Sequence, residues 1–426
     1  MAAAYTTMEM PPGTVFPRYA SDMIEEALGD SPVVLIHGPR QCGKTTLART
    51  IGEERGYDYY SFDDDAVWRA ATNDPVGFVA DLADRCVLDE VQRVPHLFST
   101  LKLAIDRNRV PGRLLITGSS NILLMPTLSD SLAGRMSILH LHPLAQCEIH
   151  GQESGFLNAL TAGSFKAQKY RRLGSALASL IVDGGYPAAL ARRTAHRRAA
   201  WYRDYVDTLV NRDVRDMSRI ASLAALPRLM SLAASQTSRL INVSELSAPF
   251  HMSRPTIRDY MALLERVFLV ETLDPWHNNR LSRLVKTPKL HLTDTGVACS
   301  VLGVSAASLW SDRELMGQML ETFVYQELRK QASWHGADVQ FYHYRDKDQV
   351  EVDIVMEMEG RVVAGVEVKA SSTITDADFR GLRKLQGICG KRFVVGVVLY
   401  DGEKSLSFGN GLYAVPVAAL WEYPKR

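Results

Sequence analysis

The sequence has few cysteines, and their spacing excludes two common kinds of cross-linked site. Its 426 residues include five cysteines, which lie far apart and form no Cys-x-x-Cys pair: Cys42, Cys86, Cys147, Cys299 and Cys389. An odd, scattered set is not typical of a disulfide framework or of a structural zinc site. We therefore expect a protein of a reducing compartment.

Long apolar runs, a secretory leader and an excess of one charge are also lacking. No stretch of about eighteen apolar residues occurs, and the first fifteen residues have neither a basic start nor a leader-like apolar segment. The formal net charge is only +1, so a nucleic acid or a membrane could be attracted only by a local patch. We expect a cytoplasmic protein without a membrane partner.

The composition is that of an ordinary globular protein, with 46% hydrophobic and 23% charged residues. The length predicts two to four domains. From residue 18 to residue 150, short apolar strands alternate with helical stretches, which indicates an α/β domain with a parallel sheet. The strand candidates are nearly all apolar, as buried parallel strands are, and cover residues 33–37, 86–88, 114–117 and 138–141.

A glycine-rich segment follows the first strand and opens a helix. Residues 38–45 fit the pattern G-x-x-x-x-G-K-[ST], in which backbone N–H groups surround phosphate oxygens. Lys44 would carry its charge to the outer phosphates, and Thr45 would offer its hydroxyl to Mg²⁺. The alternative is a glycine turn without a ligand. The predicted ATP site consists of Gly38, Pro39, Arg40, Gln41, Cys42, Gly43, Lys44, Thr45 and Thr46.

Residues near the ends of other strands could support hydrolysis. Asp89, at the end of a neighbouring strand, would bind the metal, and Glu90 would orient and polarise the attacking water. Thr117, Ser119 and Ser120 end the next apolar run, and either they contact the γ-phosphate or the attacking water, or they close a turn. Arg135 precedes another strand and is either an arginine finger, acting in cis or from a neighbouring subunit, or a surface arginine.

Two segments in the middle of the chain are candidates for DNA contacts. Residues 156–225 indicate a helical linker region whose arginines and aromatic residues could follow a phosphate backbone, or form a salt-bridged surface with nearby aspartates. Residues 226–290 outline a winged helix-turn-helix, which binds DNA or joins domains. Its candidate groove contacts are Arg254, Thr256, Arg258 and Tyr260.

From residue 315 to residue 426 the pattern indicates a separate mixed α/β domain with a carboxylate site. Asp353 lies on one predicted strand, and Glu367 and Lys369 share a face of the next. Asp353 and Glu367 could hold Mg²⁺ or Mn²⁺, and Lys369 could orient water. A preceding helix that carries Glu321 could add a third carboxylate. Charged residues alternating on an exposed strand are the alternative.

Several strings resemble, in order, the AAA-type ATPase domain of a large prokaryotic family whose members carry a C-terminal domain of unknown function. The strings are GPRQCGKTTL, VLDEVQRVP, LLITGSSN, SLAGR and LHPLAQCE, followed by GGYP, NRDV, TDTG, EVDIV and GVEVKAS. The resemblance implies ATP binding by residues 38–45, metal and hydrolysis roles for Asp89 and Glu90, and a finger role for Arg135. His37 departs from the family, which usually has threonine there, and so does Ala145, where serine is common.

The order of a helix, an aspartate and then Glu-x-Lys resembles the PD-(D/E)XK nuclease fold of restriction endonucleases and junction resolvases. By that resemblance Glu321, Asp353, Glu367 and Lys369 occupy the nuclease positions. The leading hypothesis is an AAA-type ATPase associated with DNA, branched or single-stranded, that couples ATP to a metal-dependent nuclease-like domain. A trans role of Arg135 would require a homo-oligomer. The alternatives are a regulatory or assembly switch, in defence or toxin control, and a DNA-junction motor, each with a silent nuclease-like domain.

Overall fold

The computed structural model describes residues 15–119, 134–214, 225–278, 287–336 and 338–425, without the side chains of residues 212 and 213. The chain forms two compact units. The N-terminal unit contains Pro17–Leu144 and Arg266–Phe268, and the C-terminal unit contains Ala145–Glu265 and the chain from Leu269 onward. Apart from Arg266–Phe268, the three domains predicted after residue 150 belong to the C-terminal unit, so the boundaries between them remain sequence-based predictions.

A parallel sheet with helices on both faces forms the N-terminal unit. Its strands are β1 (Val33–His37), β2 (Asp58–Ser61), β3 (Cys86–Asp89), β4 (Leu114–Gly118) and β5 (Met136–His140), in the order β2-β3-β4-β1-β5. Its helices are α1 (Ala20–Asp30), α2 (Lys44–Glu54), α3 (Asp65–Asn73), α4 (Pro75–Ala80) and α5 (Leu97–Arg107). All of these strand pairs are parallel, which confirms the predicted fold class.

Alternation along β1 divides the core of this unit into two layers. Val33 and Leu35 pack with side chains of α3, α4 and α5. Val34 and Ile36 pack with side chains of α1 and α2. Because helices bury both faces, the central strands are continuous apolar runs that the sequence pattern identifies. The parallel arrangement brings the carboxyl ends of these strands to one edge of the sheet.

The two edge strands are the ones that the sequence pattern missed or shifted. No strand was predicted at β2, and β5 was predicted at residues 138–141. Every residue of β2 and β5 is half-buried or exposed, whereas every residue of β1, β3 and β4 is buried. An edge strand has a neighbour on one side only, so it does not need an unbroken apolar sequence.

The C-terminal unit begins with short helices. They are α6 (Gln146–Ile149), α7 (Phe156–Thr161), α8 (Ser175–Asp183), α9 (Pro187–Leu190) and α10 (Ala195–Thr208), which continues into a π-helical turn over Leu209–Val214. The predicted break at GGYP is present, because Gly184 has a φ of 64° and a Cβ atom there would lie 2.3 Å from the Tyr202 hydroxyl. Only glycine fits at that position.

The segment predicted as a winged helix contains three helices and then two antiparallel strands. The helices are α11 (Ala225–Ser235), α12 (Val243–Ser247) and α13 (Arg254–Arg266), and the strands are β6 (Val270–Leu273) and β7 (Lys289–Leu292). Two helices, α14 (Thr295–Leu302) and α15 (Ala306–Ser311), follow them. The order of elements agrees with the sequence pattern, and the winged-helix assignment remains a prediction.

A mixed sheet forms the rest of the C-terminal unit. It follows a long helix, α16 (Arg313–Ala332), and has the order β12-β13-β11-β10-β9-β8. The strands are β8 (Gln340–Arg345), β9 (Glu351–Met358), β10 (Val362–Lys369), β11 (Phe393–Tyr400), β12 (Leu406–Ser407) and β13 (Leu412–Pro416), with helices α17 (Arg380–Cys389) and α18 (Ala419–Glu422). β10 runs antiparallel to β9 and parallel to β11.

Close packing of α17 sets the position of β9 in this sheet. A Cβ atom on Gly381 would lie 1.9 Å from the Glu351 carbonyl oxygen, so the helix touches the strand backbone. Val352, Leu382 and Leu385 belong to the core cluster at this contact. In the described parts of the chain, no helix combines the length and apolar character that a membrane crossing requires.

Candidate functional site

The predicted phosphate loop connects β1 to α2 at the carboxyl edge of the N-terminal sheet. Its backbone has positive φ angles at Gln41 (60°) and Gly43 (104°), and α2 begins at Lys44. A Cβ atom on Gly38 would lie 2.2 Å from the Leu141 carbonyl oxygen, so no side chain fits there. The chain therefore curls tightly into the first turn of a helix, which is the arrangement that binds phosphate through N–H groups.

Arg18 ties the loop to the segment after β5 and was not identified from the sequence. Its guanidinium donates to the Cys42 carbonyl (Nη1–O 2.6 Å) and to the His142 carbonyl (Nη2–O 2.7 Å). The buried Cys42 thiol also donates to the Leu141 carbonyl (Sγ–O 3.3 Å). Arg18 belongs to no motif, and backbone carbonyl groups accept these two hydrogen bonds, so the sequence offered no signal for this role.

Lys44 lies inside the loop. It is 4% exposed, and its ammonium donates to the carbonyl oxygens of Gly38 (3.0 Å) and Pro39 (2.7 Å). A buried positive charge at a helix N-terminus is a favourable place for an anion, because the helix dipole adds to the attraction. Among the other predicted loop residues, Pro39 and Cys42 are buried, Arg40 is half-buried, and Gln41 and Thr46 are exposed.

Asp89 gathers three hydroxyl groups at the end of β3. Its carboxylate accepts from Thr45 (Oγ1–Oδ1 2.9 Å), Thr117 (Oγ1–Oδ1 2.6 Å) and Tyr59 (Oη–Oδ2 2.9 Å). Burial and the Asp89 carboxylate raise the pKa of Tyr59 to about 12, so the tyrosine remains a donor. The Asp89 carboxylate and the Thr45 hydroxyl are oxygen ligands of the kind that Mg²⁺ takes, and they fit a metal beside the loop.

The strand that carries Asp89 is not the neighbour of the phosphate-loop strand, contrary to the sequence-based prediction. β4 lies between β1 and β3. Thr117, on β4, spans the gap by donating to Asp89 and accepting from the Glu90 N–H (N–Oγ1 3.1 Å). The inserted strand therefore adds a hydroxyl to the site instead of separating its parts.

Glu90 is held by two polar side chains. Its backbone is left-handed, with a φ of 60°, a conformation that is uncommon for a residue other than glycine and often marks functional sites. Its Oε2 atom accepts from Ser119 (Oγ–Oε2 2.9 Å) and from the Gln92 amide, which also donates to Ser119 (Nε2–Oγ 2.9 Å). Ser119 therefore contacts Glu90, a role that the sequence did not suggest. Ser120 lies outside the described residues.

Arg135 lies at the amino ends of the parallel strands, whereas the phosphate loop lies at their carboxyl ends. Met136 pairs with Val33 at the start of β1, whereas the loop follows His37 at its end. At about 3.3 Å per residue, the length of β1 separates Arg135 from the loop by roughly 16 Å. Arg135 donates to both carboxylate oxygens of Asp106 (2.7 and 3.1 Å), and side-chain hydrogen bonds from Arg135 and Arg109 lower the pKa of Asp106 to about 2. This position does not favour action in cis.

His37 is a buried, neutral base directly before the loop. It is 7% exposed, and its Nδ1 atom has no hydrogen-bond partner among the described residues. Its ring lies edge-on to that of His140 (centroids 4.7 Å apart). Burial first, and then the positive charge of Lys44, lower the pKa of His37 to about 4.

The second predicted site, in the C-terminal unit, does converge. Glu321 comes from α16, Asp353 from β9, and Glu367 and Lys369 from β10. Asp353 accepts from the Val368 N–H (N–Oδ2 2.9 Å), and Lys369 donates to Glu367 (Nζ–Oε1 2.7 Å). These four side chains, with Lys289, are called the carboxylate cluster below.

Lys289, which the sequence did not single out, enters this cluster from β7. Its ammonium lies 2.7 Å from Glu321 Oε1 and 3.3 Å from Asp353 Oδ1, and its side chain is 4% exposed. All four residues of β7, Lys-Leu-His-Leu, are buried. In the sequence, alternation of polar and apolar residues is typical of a strand with one exposed face. The pattern therefore predicts an exposed lysine, whereas Lys289 is buried.

Burial shifts the protonation of the cluster's acids. Burial, and then the nearby Asp353, raise the pKa of Glu367 to about 8, although Lys369 and Lys289 oppose the change. The pKa of Glu321 is also raised well above its ordinary value, mainly by burial. Burial alone would lower the pKa of Lys289, but the carboxylates of Glu321 and Asp353 outweigh it and raise the pKa. Lys289 is therefore charged at neutral pH.

This arrangement does not fit the predicted divalent metal. Within the described ranges, no group of three or more His, Cys, Asp or Glu side chains is arranged to hold a metal ion. The place between Glu321 and Asp353, where a cation would bind, is next to the ammonium of Lys289. The four residues that the sequence pattern selected do lie together. The cation that contacts Glu321 and Asp353, however, is the ammonium group of Lys289.

The candidate DNA contacts are only partly at the surface. Arg254 and Arg258 are exposed, one turn apart at the start of α13, whereas Tyr260 is 5% exposed and packs in the core. Thr256 bonds to Ser253 at the helix start (Oγ–Oγ1 2.8 Å). Tyr260 was therefore a wrong candidate.

The arginine-rich segment of the helical region differs from the prediction in a similar way. Arg198 is buried and pairs with Asp183 (Nε–Oδ1 2.7 Å) and not with an aspartate of its own helix. Trp201 stacks on Tyr205 (centroids 5.1 Å apart), so these rings contact each other. The exposed arginines of this segment are Arg192, Arg193, Arg197 and Arg203; Arg215 and Arg219 lie outside the described residues, as does the side chain of Arg212.

Comparison with known protein families supports the assignment of the N-terminal unit. Residues 30–150 match a family described as an AAA domain. Residues 174–308 match the domain of unknown function DUF8612, and residues 316–420 match the domain of unknown function DUF4143. The family matches therefore assign a function to the first segment and none to the rest.

Whole-chain relatives add no function. Uncharacterized proteins of Mycobacterium tuberculosis and Mycobacterium bovis are each 29% identical to this chain over 400 residues, which cover 94% of this chain and 83% of theirs. A Walker-type ATPase of Pyrococcus abyssi has a TM-score of 0.43 at 13% identity, covering 67% of this chain and 96% of its own. The RuvB Holliday junction branch migration motor of Thermotoga maritima has a TM-score of 0.30 at 14% identity, covering 59% and 88%.

Both TM-scores are too low to carry a functional conclusion. The family match and the geometry of the phosphate loop are independent observations, and they agree. The N-terminal unit contains an AAA-type P-loop ATPase domain.

Proposed function

We propose that this protein hydrolyses ATP at the phosphate loop and uses the cycle as a DNA-associated switch. One observation carries the hydrolysis proposal. Asp89 bonds to Thr45 of the loop, while Glu90, the next residue, is held by Ser119 and the Gln92 amide. These contacts support the proposal that Asp89 is a metal ligand and Glu90 a general base beside the outer phosphates of bound ATP.

The residues have distinct roles in this proposal. Lys44 binds the outer phosphates through its buried ammonium, and Thr45 and Asp89 hold Mg²⁺. The metal, when bound with ATP, neutralises charge on the phosphate oxygens. Glu90 accepts a hydrogen bond from the attacking water and orients it. Ser119 and Gln92 keep the Glu90 carboxylate in place through their hydrogen bonds.

Phosphate release from ATP in the presence of Mg²⁺ tests the hydrolysis proposal. We expect Lys44→Ala to lose nucleotide binding, and Glu90→Gln to keep binding but lose at least 100-fold in kcat, because general-base catalysis contributes about 10²–10⁴-fold. Glu26→Gln, an exposed residue of α1, is the matched control and should match wild type. If Glu90→Gln turned over ATP at the wild-type rate, the assignment of the base would be wrong.

An action of Arg135 in trans is the part of the proposal that requires an oligomer. Arg135 lies at the amino ends of the strands, away from the phosphate loop of its own chain, and this supports contact with the ATP site of a neighbouring subunit. In a mixture of inactive Arg135→Ala and inactive Glu90→Gln subunits, a site formed by an intact Glu90 and a neighbour's intact Arg135 would recover ATPase activity. Recovery on mixing is the expected result, and its absence would count against a trans finger.

Association with DNA rests on the exposed pair Arg254 and Arg258 at the start of α13. Each lost phosphate contact reduces the dependence of log K on log salt by about 0.9. We expect the double Ala variant to bind linear, single-stranded or branched DNA more weakly, with a salt slope smaller by about 2. Arg55→Ala with Arg69→Ala, which removes two exposed arginines of the N-terminal unit, is the matched control. Equal salt slopes for the two double variants would contradict the proposal that α13 contacts DNA.

For the C-terminal domain we favour a nuclease-like fold that does not cut. The nuclease-like fold is supported by the convergence of Glu321, Asp353, Glu367 and Lys369. The absence of cleavage is supported by the ammonium of Lys289 inside this cluster. Incubation of each form of DNA with wild-type protein and Mg²⁺ or Mn²⁺ should leave the DNA intact. Cleavage that disappears in Glu367→Ala would instead establish the alternative, a metal-dependent nuclease.

A further inference from the structure

We propose that Lys289 is the resident cation of the carboxylate cluster, in the place of a divalent metal ion, and that the cluster becomes a metal site only when this lysine is removed. The inference deepens the proposal for the C-terminal domain, because it names the group that keeps the domain silent. It does not depend on ATP hydrolysis or on DNA binding.

The position of Lys289 is set by the backbone on both sides of β7. Lys289 pairs with Leu273 of β6 on one side and forms an isolated β-bridge with Leu240 on the other. The Leu290 N–H, next in the chain, donates to the Arg239 carbonyl (2.8 Å). With the backbone held in this way, the lysine side chain is directed into the cluster, and its ammonium contacts Glu321 and Asp353.

Charge and burial explain why a metal would not share the site. Lys289 is 3% exposed, so its charge is screened little by water. A divalent cation bound to Asp353 would lie close to this ammonium, and like charges in a buried site repel strongly. Lys369 brings a second ammonium into the same cluster by donating to Glu367. The two lysines therefore supply the positive charge that a metal would otherwise supply.

One carboxylate oxygen in the cluster is left without a partner. Glu367 is 7% exposed, and its Oε2 atom has no hydrogen-bond partner within the described residues. Without the lysine side chain, Glu321 and Asp353 would each lose their ammonium partner. Glu367 is next to Val368, whose N–H donates to Asp353, so its carboxylate belongs to the same cluster and could complete a third ligand after small side-chain movements. Three carboxylates without a competing ammonium are a ligand set suited to Mn²⁺ or Mg²⁺.

Counting bound Mn²⁺ by electron paramagnetic resonance tests the inference on the full-length protein without nucleotide. Wild type and Glu367→Gln should bind the same number of Mn²⁺ ions, because the cluster holds none. Lys289→Met should bind one additional Mn²⁺ per chain, and Lys289→Met with Glu367→Gln should lose it. The exposed Lys391→Met is the matched control and should behave as wild type.

Two results would overturn the inference. One is a wild-type protein that binds one more Mn²⁺ than Glu367→Gln, which would mean that the lysine gives way to the metal. The other is a folded Lys289→Met variant, verified by circular dichroism, that gains no Mn²⁺. If Lys289→Met did not fold, the comparison of wild type with Glu367→Gln would still decide. Phosphate release from ATP, measured on the same preparations, reports separately on the proposed hydrolysis.

Discussion

Replacing His37 by threonine, the residue usual at this position in the family that the sequence resembles, tests how the histidine before the phosphate loop couples folding to pH. The pKa of His37 is about 4 in the folded chain, against an ordinary value of 6.5. Between these values the unfolded chain binds more protons than the folded chain does, so the free energy of unfolding falls as pH falls through that window.

The difference corresponds to roughly 3 kcal/mol in total, at about 1.36 kcal/mol per pKa unit. About 2 kcal/mol of this would be lost between pH 7.5 and pH 5. Two observations support a large effect: the ring is buried, and its Nδ1 atom has no partner among the described residues that could stabilise the charged form. His37→Thr has no group that titrates in this window, so its stability should depend less on pH by that amount.

Hydrogen exchange measured by mass spectrometry in increasing urea provides the assay. Peptides that cover β1 and β4 report the unfolding free energy of the N-terminal unit alone. Other groups titrate in both proteins, so the quantity of interest is the difference between wild type and His37→Thr at pH 7.5 and pH 5. His96→Thr replaces an exposed histidine of the same unit and is the control. Equal pH dependence in wild type and His37→Thr would refute the claim that burial keeps His37 neutral.

Three further substitutions test the geometry of the ATP site. Gly38→Ala should abolish ATP binding, measured by calorimetry, because its Cβ atom would clash with a carbonyl oxygen 2.2 Å away, whereas Gly29→Ala, with open space around it, should bind normally. Ser119→Ala should lower kcat by roughly tenfold or more with little change in KM, because it removes one hydrogen bond to the Glu90 carboxylate; an unchanged kcat would remove Ser119 from the site. Thr117→Val should lower the free energy of unfolding by about 1–3 kcal/mol, because a backbone donor loses its partner; urea unfolding that matches wild type would contradict it.

The phosphate loop was predictable because its conformation depends on local sequence. A strand, a glycine-rich turn and a helix lie next to each other in the chain, so residues 38–45 specify the loop without help from the rest of the protein. Asp89 and Glu90 are adjacent and follow an apolar strand. Arg18 and Ser119 could not be assigned in this way, because Arg18 belongs to no motif and donates to the backbone carbonyls of Cys42 and His142, and because Ser119 contacts Glu90.

The sequence by itself indicated the buried strands of the N-terminal sheet and the phosphate loop, since periodicity and motif spacing are properties of neighbouring residues. The tertiary structure decided where those residues lie. The strand order put β4 between β1 and β3. The packing of α13 buried Tyr260. The pairing of β7 brought Lys289 to Glu321 and Asp353, more than thirty and sixty residues away, and so decided which cation the carboxylates hold. A contact of this kind depends on how separate strands pair, which no local pattern encodes.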